Sequence, residues 1–247
     1  MRLHRTLSAT ALCLLLALAA SAQAPAPTLT ADQVISNLVS HNLQRAAALR
    51  AYQSTRAYRI EYHGLGARSA EMVVDVKYRA PYTKQFTIRS ESGSKVLLEK
   101  VLKRLLQSEQ EAQNDENQAR IAMNNENYKL KLLGSESAPT GLLYTLFAEP
   151  RVNNKYLFRG KIWVDARDFA IVRMEGAPAK NPSFWIKETK IEQLYTKVGD
   201  FWLPLSNRSA SSIRLGGSAN LTIDYRDYKI TSAAPLAASN ASSSGNH

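Results

Sequence analysis

The stretch from Gly160 to Gly176, GKIWVDARDFAIVRMEG, sets Asp165 and Asp168 three residues apart between a tryptophan and a phenylalanine. Two carboxylates so close can divide acid and base roles between them, or give a hard cation two oxygen ligands. Either chemistry needs further groups converging on the same point. Beyond the start of the chain the histidines are His41, His63 and His247, no two of them at ligand spacing. No G-x-S-x-G elbow and no phosphate-cradling glycine loop occurs. The other carboxylates worth testing in a hydrolase are Glu175, Glu188 and Glu192, and the last two share a strand face that they would ordinarily solvate. The expectation is a protein that is not an enzyme and uses no metal or cofactor.

The same stretch reads as a hairpin. With a three-residue loop, Ala166-Arg167-Asp168, Asp165 faces Phe169, Val164 faces Ala170, Ile162 faces Val172 and Gly160 faces Met174. One side then carries Tyr156, Phe158, Gly160, Ile162, Val164, Ala170, Val172, Met174 and Gly176 without a charge, while the other collects Arg159, Lys161, Asp165, Arg173 and Glu175. A slip of one residue mixes the two sides, which burial of one of them penalises. Asp168 falls where such loops turn left-handed, a conformation Asp tolerates better than most residues. The two aspartates mark a corner.

The elements that must hold this hairpin follow from periodicity. LTADQV carries a capping box, Thr30 with Gln33, and a staple of Leu29 onto Val34. The stripe Val34, Ile35, Leu38, Val39, Leu43, Ala46, Leu49 predicts an amphipathic helix over about 31 to 51. The period then changes to two: Tyr58, Ile60, Tyr62; Met72, Val74, Val76, Tyr78; Phe86, Ile88. Three antiparallel strands precede a second amphipathic helix, in which Val96, Leu97, Leu98, Val101, Leu102, Leu105 and Leu106 oppose Lys95, Lys100, Lys103 and Arg104. Seven more alternating segments follow. The fold class is α+β: a strongly curved antiparallel sheet of about ten strands, an incomplete barrel, wrapped around or lidded by amphipathic helices that cover its apolar face.

The chain begins with two arginines, an apolar run from about Ala9 to Ala20 and the small residues Ala20-Ser21-Ala22, the order of a secretory signal peptide. The expected organisation is a leader over 1–22, a linker over 23–29, one domain over 30–231 and a disordered Ala/Ser/Asn tail over 232–247. The single cysteine, Cys13, falls within the leader, so stability rests on an apolar core rather than disulfides. A net charge of +11 favours transient contact with an anionic membrane surface or an envelope protein, and export argues against nucleic acid as a partner. No later apolar run approaches the length of a transmembrane helix.

A leader, a first helix, a strand ending YRAPYTKQF, then GKIWVDARDFAIVRMEG and YTKVGDFWLPLSNR together resemble the outer-membrane lipoprotein-sorting superfamily: the periplasmic lipoprotein carrier, the outer-membrane lipoprotein receptor and RseB-like stress sensors. The resemblance implies a monomeric periplasmic protein whose half-barrel encloses the acyl chains of lipids or lipoproteins without catalysing a reaction. It also implies a lid-controlling or headgroup-binding arginine at the end of an early strand. The local match is Arg79, with Ala80 between it and Pro81. Val74, Val76, Tyr78, Phe86, Ile88, Ile162 and Val164 are the positions that would line the cavity, and Trp163, Trp185 and Trp202 are either packing residues or ligand contacts. The alternatives are a non-catalytic sensor or scaffold with a filled interior that docks another protein, and, third, a hydrolase.

Overall fold

The computed structural model describes residues 29–81, 83–113, 119–181, 183–214 and 216–236. The expected leader and most of the expected tail lie outside the described residues. Helix α1 spans Ala31–Ala48. It opens on the expected capping box, with Gln33 N donating to Thr30 Oγ1 at 3.3 Å and Thr30 N to Gln33 Oε1 at 2.8 Å. It ends three residues before the periodicity suggested, because Leu49 begins a strand. Helix α2 is continuous through three segments, α-helical at Lys95–Leu97, π-helical at Leu98–Leu102 and α-helical at Lys103–Glu111. The wider π turn lies where Leu97, Leu98 and Leu102 are all buried. Val96, expected on that face, is 56% exposed.

The strands are β1 Leu49–His63, β2 Arg68–Arg79, β3 Thr83–Gly93, β4 Tyr128–Ala138, β5 Gly141–Pro150, β6 Phe158–Asp165, β7 Ala170–Pro178, β8 Ile186–Val198, β9 Phe201–Ile213 and β10 Ser218–Ala233. They form one antiparallel sheet in the order β3-β2-β1-β10-β9-β8-β7-β6-β5-β4. The first and last strands pair in the middle, so the sheet stays open, with β3 and β4 as its edges. Strand β10 continues to Ala233, past the expected end of the domain at 231.

Each helix covers one end of the inner face. Val34, Ile35 and Leu38 of α1 pack with Tyr144, Leu146, Ile162 and Val164. Leu97, Leu98, Leu102 and Leu106 of α2 pack with Tyr58, Ile60, Met72, Val74 and Val76. Full burial of each such side chain contributes roughly 1.5–3 kcal/mol, so three or four anchors supply most of what holds each helix to the sheet.

The hairpin of β6 and β7 departs from its expected register. The loop has four residues, Ala166 to Phe169, so Asp165 pairs with Ala170 and Val164 with Ile171. Val172 is the extra residue of a bulge, after which Ile162 meets Met174 and Gly160 meets Gly176. Phe169, not Asp168, takes the left-handed conformation, at φ 45°. The bulge preserves the apolar side: Ile171 replaces Val172 there, and the charges still fall opposite. Gly160 and Gly176 face one another across the two strands. A Cβ on Gly160 would lie 2.1 Å from Glu175 O, and one on Gly176 2.0 Å from Arg159 O.

Candidate functional site

The cross-strand register builds a continuous row across the inner face. Met72 meets Tyr58, Tyr58 meets Ile223, Ile223 meets Asn207, Asn207 meets Gln193, Gln193 meets Met174, Met174 meets Ile162 and Ile162 meets Leu146. The ends of the row lie in the two helix-covered cores. Its centre, on β8, β9 and β10, does not: Ile191, Gln193, Tyr195, Asn207, Ser209 and Tyr225 are half-buried and belong to none of the apolar clusters.

Several polar side chains of this strip are hydrogen-bonded to one another and to the backbone. Ser209 Oγ donates to Asn207 Oδ1, Asn207 Nδ2 to Gln193 Oε1, and Gln193 Nε2 to the carbonyls of Leu194 and Ser206, all at 3.0 Å. The Tyr195 hydroxyl lies 3.3 Å from Met174 Sδ. An apolar molecule laid over side chains already paired in this way costs less than one laid over free donors and acceptors. Burial pushes the Tyr195 phenol up to about 12 and raises Tyr225 as well, the latter against the opposing pull of Arg56.

Beside the strip, under α2, lies Arg56, only 4% exposed. Its Nη1 donates to Glu109 Oε2 at 2.6 Å and its Nη2 to Glu109 Oε1 at 3.2 Å. Lys84 Nζ reaches Glu109 Oε1 at 2.6 Å from β3. The guanidinium stacks over Tyr225 at 5.0 Å and Phe86 at 5.6 Å. Burial alone would raise the Glu109 carboxyl, but Lys84 and Arg56 outweigh it and hold it down to about 2. Glu109 thus ties α2 to β1 and β3 by charge where the leucines tie it by packing. Arg56 Nε and the nearby Ser54 Oγ are buried without a hydrogen-bond partner among the described residues.

The residues expected to line one cavity are distributed over both cores. Val74 and Val76 lie fully buried under α2, with Phe86 half-buried beside them. Ile162 and Val164 lie fully buried under α1. Ile88, on edge strand β3, is 40% exposed. Tyr78 stacks on Tyr52 with ring centroids 5.0 Å apart and donates its hydroxyl to Pro81 O at 2.8 Å. Arg79 is exposed at the end of β2, where it borders hollows of about 340 and 660 Å³ with Ala51 and Thr231. The structure therefore does not bring Arg79 to Arg56 or to the central strip.

A larger hollow, of about 880 Å³, lies on the outer face of the sheet, lined by Phe147, Lys161, Glu175, Glu188, Lys190, Glu192 and Arg208 among others. Glu175 and Glu192 are cross-strand partners, and both are ion-paired to Arg173, Glu192 at 3.0 Å. Arg173 in turn lies over Trp163, 5.0 Å from its ring centroid. Among the described residues, no group of three His, Cys, Asp or Glu side chains is placed to hold a metal ion.

Asp165 and Asp168 form the corner. Asp165, buried, accepts from the backbone of Arg167 and Asp168 at 3.0 and 2.8 Å through Oδ1. Asp168 Oδ2 accepts from Lys197 Nζ at 2.7 Å and from Trp202 Nε1 at 2.8 Å, which docks the β8–β9 hairpin. The carbonyls of Asp168 and Phe169 accept from Arg45 of α1 at 2.7 and 2.8 Å. Both carboxylates are committed to holding the corner.

Sequence reasoning passed over Arg56 and Glu109. The available signal was phase: Ser54 and Arg56 continue inward the alternation of Tyr58 and Ile60, and so are polar residues at core-facing positions. Glu109 offers no comparable signal, since it is one of several polar residues in a helix end.

No protein-family description matches the chain, and no curated protein matches it in sequence. Solved structures do. The chain is similar to a DUF1329 family protein from Desulfovibrio piger at 11% identity, over 81% of this chain and 92% of that one, with a TM-score of 0.42. It is similar to a putative outer membrane lipoprotein-sorting protein domain from Vibrio parahaemolyticus at 9% identity, over 82% and 94%, with a TM-score of 0.39. It is also similar to a LolA superfamily protein from Nitrosomonas europaea at 13% identity, over 82% and 94%, with a TM-score of 0.37.

Proposed function

We propose that the protein is an envelope carrier or binding protein that shelters an acyl chain, of a lipid or of a lipoprotein, against the inner face of its curved sheet. The observation that supports this reading is the half-buried strip on β8, β9 and β10, hydrogen-bonded within itself and flanked by two separately covered cores. Each methylene removed from water contributes about 0.8 kcal/mol, so a sixteen-carbon chain gains on the order of 10 kcal/mol, enough to hold a lipid in water. The residues expected to line the cavity, Val74, Val76, Tyr78, Phe86, Ile88, Ile162 and Val164, serve this reading as flanking walls rather than as the floor of the site. Arg79, at the exposed end of β2, remains the proposed headgroup contact.

Organic extraction of the purified protein followed by mass spectrometry tests the proposal, together with titration by a fluorescent fatty acid. Co-purifying lipid, or saturable uptake lowered at least tenfold by Ile191→Trp or Ser209→Trp in a folded protein, supports it. No lipid and no uptake would sink it.

The outer hollow favours a second reading, a sensor or scaffold that docks another envelope protein there. Its signature would be stable capture of a single partner, lost in Lys190→Glu and Arg208→Glu, by a protein that takes up no lipid.

A further inference from the structure

One end of the sheet gathers the connections β1–β2 (64–67), β5–β6 (151–157), β7–β8 (179–185) and β9–β10 (214–217). Three of the four most exposed large apolar side chains of the described residues lie in these loops: Leu65 at 94%, Phe184 at 74% and Val152 at 60% exposed. Trp185, at 53%, stands beside Phe184 with their rings edge to face.

Neighbouring loops in this group are held together. The Tyr62 ring folds over Gly64, and its hydroxyl lies 3.5 Å from Gly216 O. Arg214 N donates to Trp185 O at 2.8 Å and Arg214 Nε to Phe184 O at 2.6 Å, with the guanidinium over the Phe184 ring at 5.1 Å. Leu65, Phe184 and Trp185 thus stand exposed on neighbouring loops, the last two on a backbone tied to Arg214.

The charge on these loops has one sign. They contain Arg151, Lys155, Lys180 and Arg214 and no carboxylate, and exposed Arg68 and Lys187 flank them at the starts of β2 and β8. Carboxylates stand behind the loops on the strands and helix: Glu149 of β5 is ion-paired to Arg159 at 2.6 Å, Glu111 of α2 acts on Lys155, and Glu126 lies in the segment leading into β4.

Exposed aromatic and aliphatic tips ringed by cations are the chemistry of an interfacial anchor. The rings enter the headgroup layer while the cations meet lipid phosphates. We infer that this end of the protein docks on a bilayer carrying anionic lipid, with Leu65, Phe184 and Trp185 entering the headgroup layer and Lys180, Lys187, Arg68 and Arg214 against its charge. The inference goes beyond the acyl-chain reading and is independent of what the inner face holds.

Flotation of the protein with phosphatidylcholine vesicles, with and without about a third phosphatidylglycerol, tests it, using Leu65→Ser, Phe184→Ser and Trp185→Ser, the charge variants Lys180→Glu and Lys187→Glu, and Leu142→Ser at the opposite end as a control. Equal urea midpoints establish that the variants are folded. The expected result is binding to the anionic vesicles that weakens with salt, falls at least tenfold in the combined apolar variant and severalfold with each charge reversal, and is unchanged in Leu142→Ser. A blue shift of tryptophan emission on binding that disappears in Trp185→Phe would support the insertion. No binding to anionic vesicles at low salt would overturn the inference, as would binding indifferent to these substitutions, or loop-dependent capture of an envelope protein without vesicle binding. Fatty-acid uptake by the same variants separates the two proposals: variants that lose vesicles and keep uptake leave the acyl-chain reading standing.

Discussion

Arg56 on the inner face of β1 and Glu109 near the end of α2 meet in a two-pronged ion pair at 2.6 and 3.2 Å, with the arginine only 4% exposed. Removing one member of a buried pair strands the other, at a typical cost of 3–5 kcal/mol. Glu109 retains some solvent and Lys84 as a second partner, so Glu109→Ala is expected to lose about 2–3 kcal/mol in urea denaturation. Arg56→Met with Glu109→Leu, which removes both charges, is expected to recover most of that loss. A double variant no better than the single one would contradict this account of the pair.

The same carboxyl sets an acid limit. The folded state holds Glu109 down to about 2 from an ordinary 4.5. A depressed carboxyl contributes stability that is fully present above about 4.5 and is lost as pH falls toward 2. The amount is on the order of 3 kcal/mol. Unfolding free energy measured across that range is expected to fall with acid in the native protein and to fall less in Glu109→Gln.

Gly176→Ala and Gly160→Ala are expected to destabilise by more than about 3 kcal/mol or to prevent folding, since the added carbon meets a backbone carbonyl of the facing strand rather than a movable side chain. Gly66→Ala, whose Cβ meets nothing within 4 Å, faces only the strain of φ +85°. About 1 kcal/mol is expected there. Thermal or urea midpoints of the three variants, ranked in that order, check the claim.

At the corner, Asp168→Ala removes the acceptor of Lys197 and Trp202 and leaves the indole N–H without its partner. A loss of about 1–2 kcal/mol is expected. Fatty-acid uptake should not change, because Asp168 bonds Lys197 and Trp202 at the end of the β8–β9 hairpin and none of the polar side chains of the strip. Loss of uptake in a stably folded Asp168→Ala would restore a functional role to this aspartate.

Alternation alone revealed most of the strands, including the seven after the second helix, because one buried face imposes a period of two on any half-exposed strand. The first half of β1 escaped. Its inward positions hold Ser54 and Arg56, and a buried arginine looks in sequence like a solvated one. The β6–β7 register was one bulge away from the expected one, since Ile171 and Val172 are equally apolar and sequence does not say which is set aside. The apolar positions Val74, Val76, Ile162 and Val164 were legible as core. Their division between two helices was not.

The sequence by itself determined most of the apolar positions that face inward, where the helices begin, and that Asp165 and Asp168 suit a turn, all consequences of local period and capping chemistry. Only the tertiary structure decided that β1 pairs with β10 and leaves the sheet open, that the two helices cover opposite ends, and that Arg56 finds Glu109 fifty-three positions away. These outcomes depend on contacts between segments far apart in the chain, where the gain from burying one pair of surfaces competes with every alternative pairing and no local pattern records the winner.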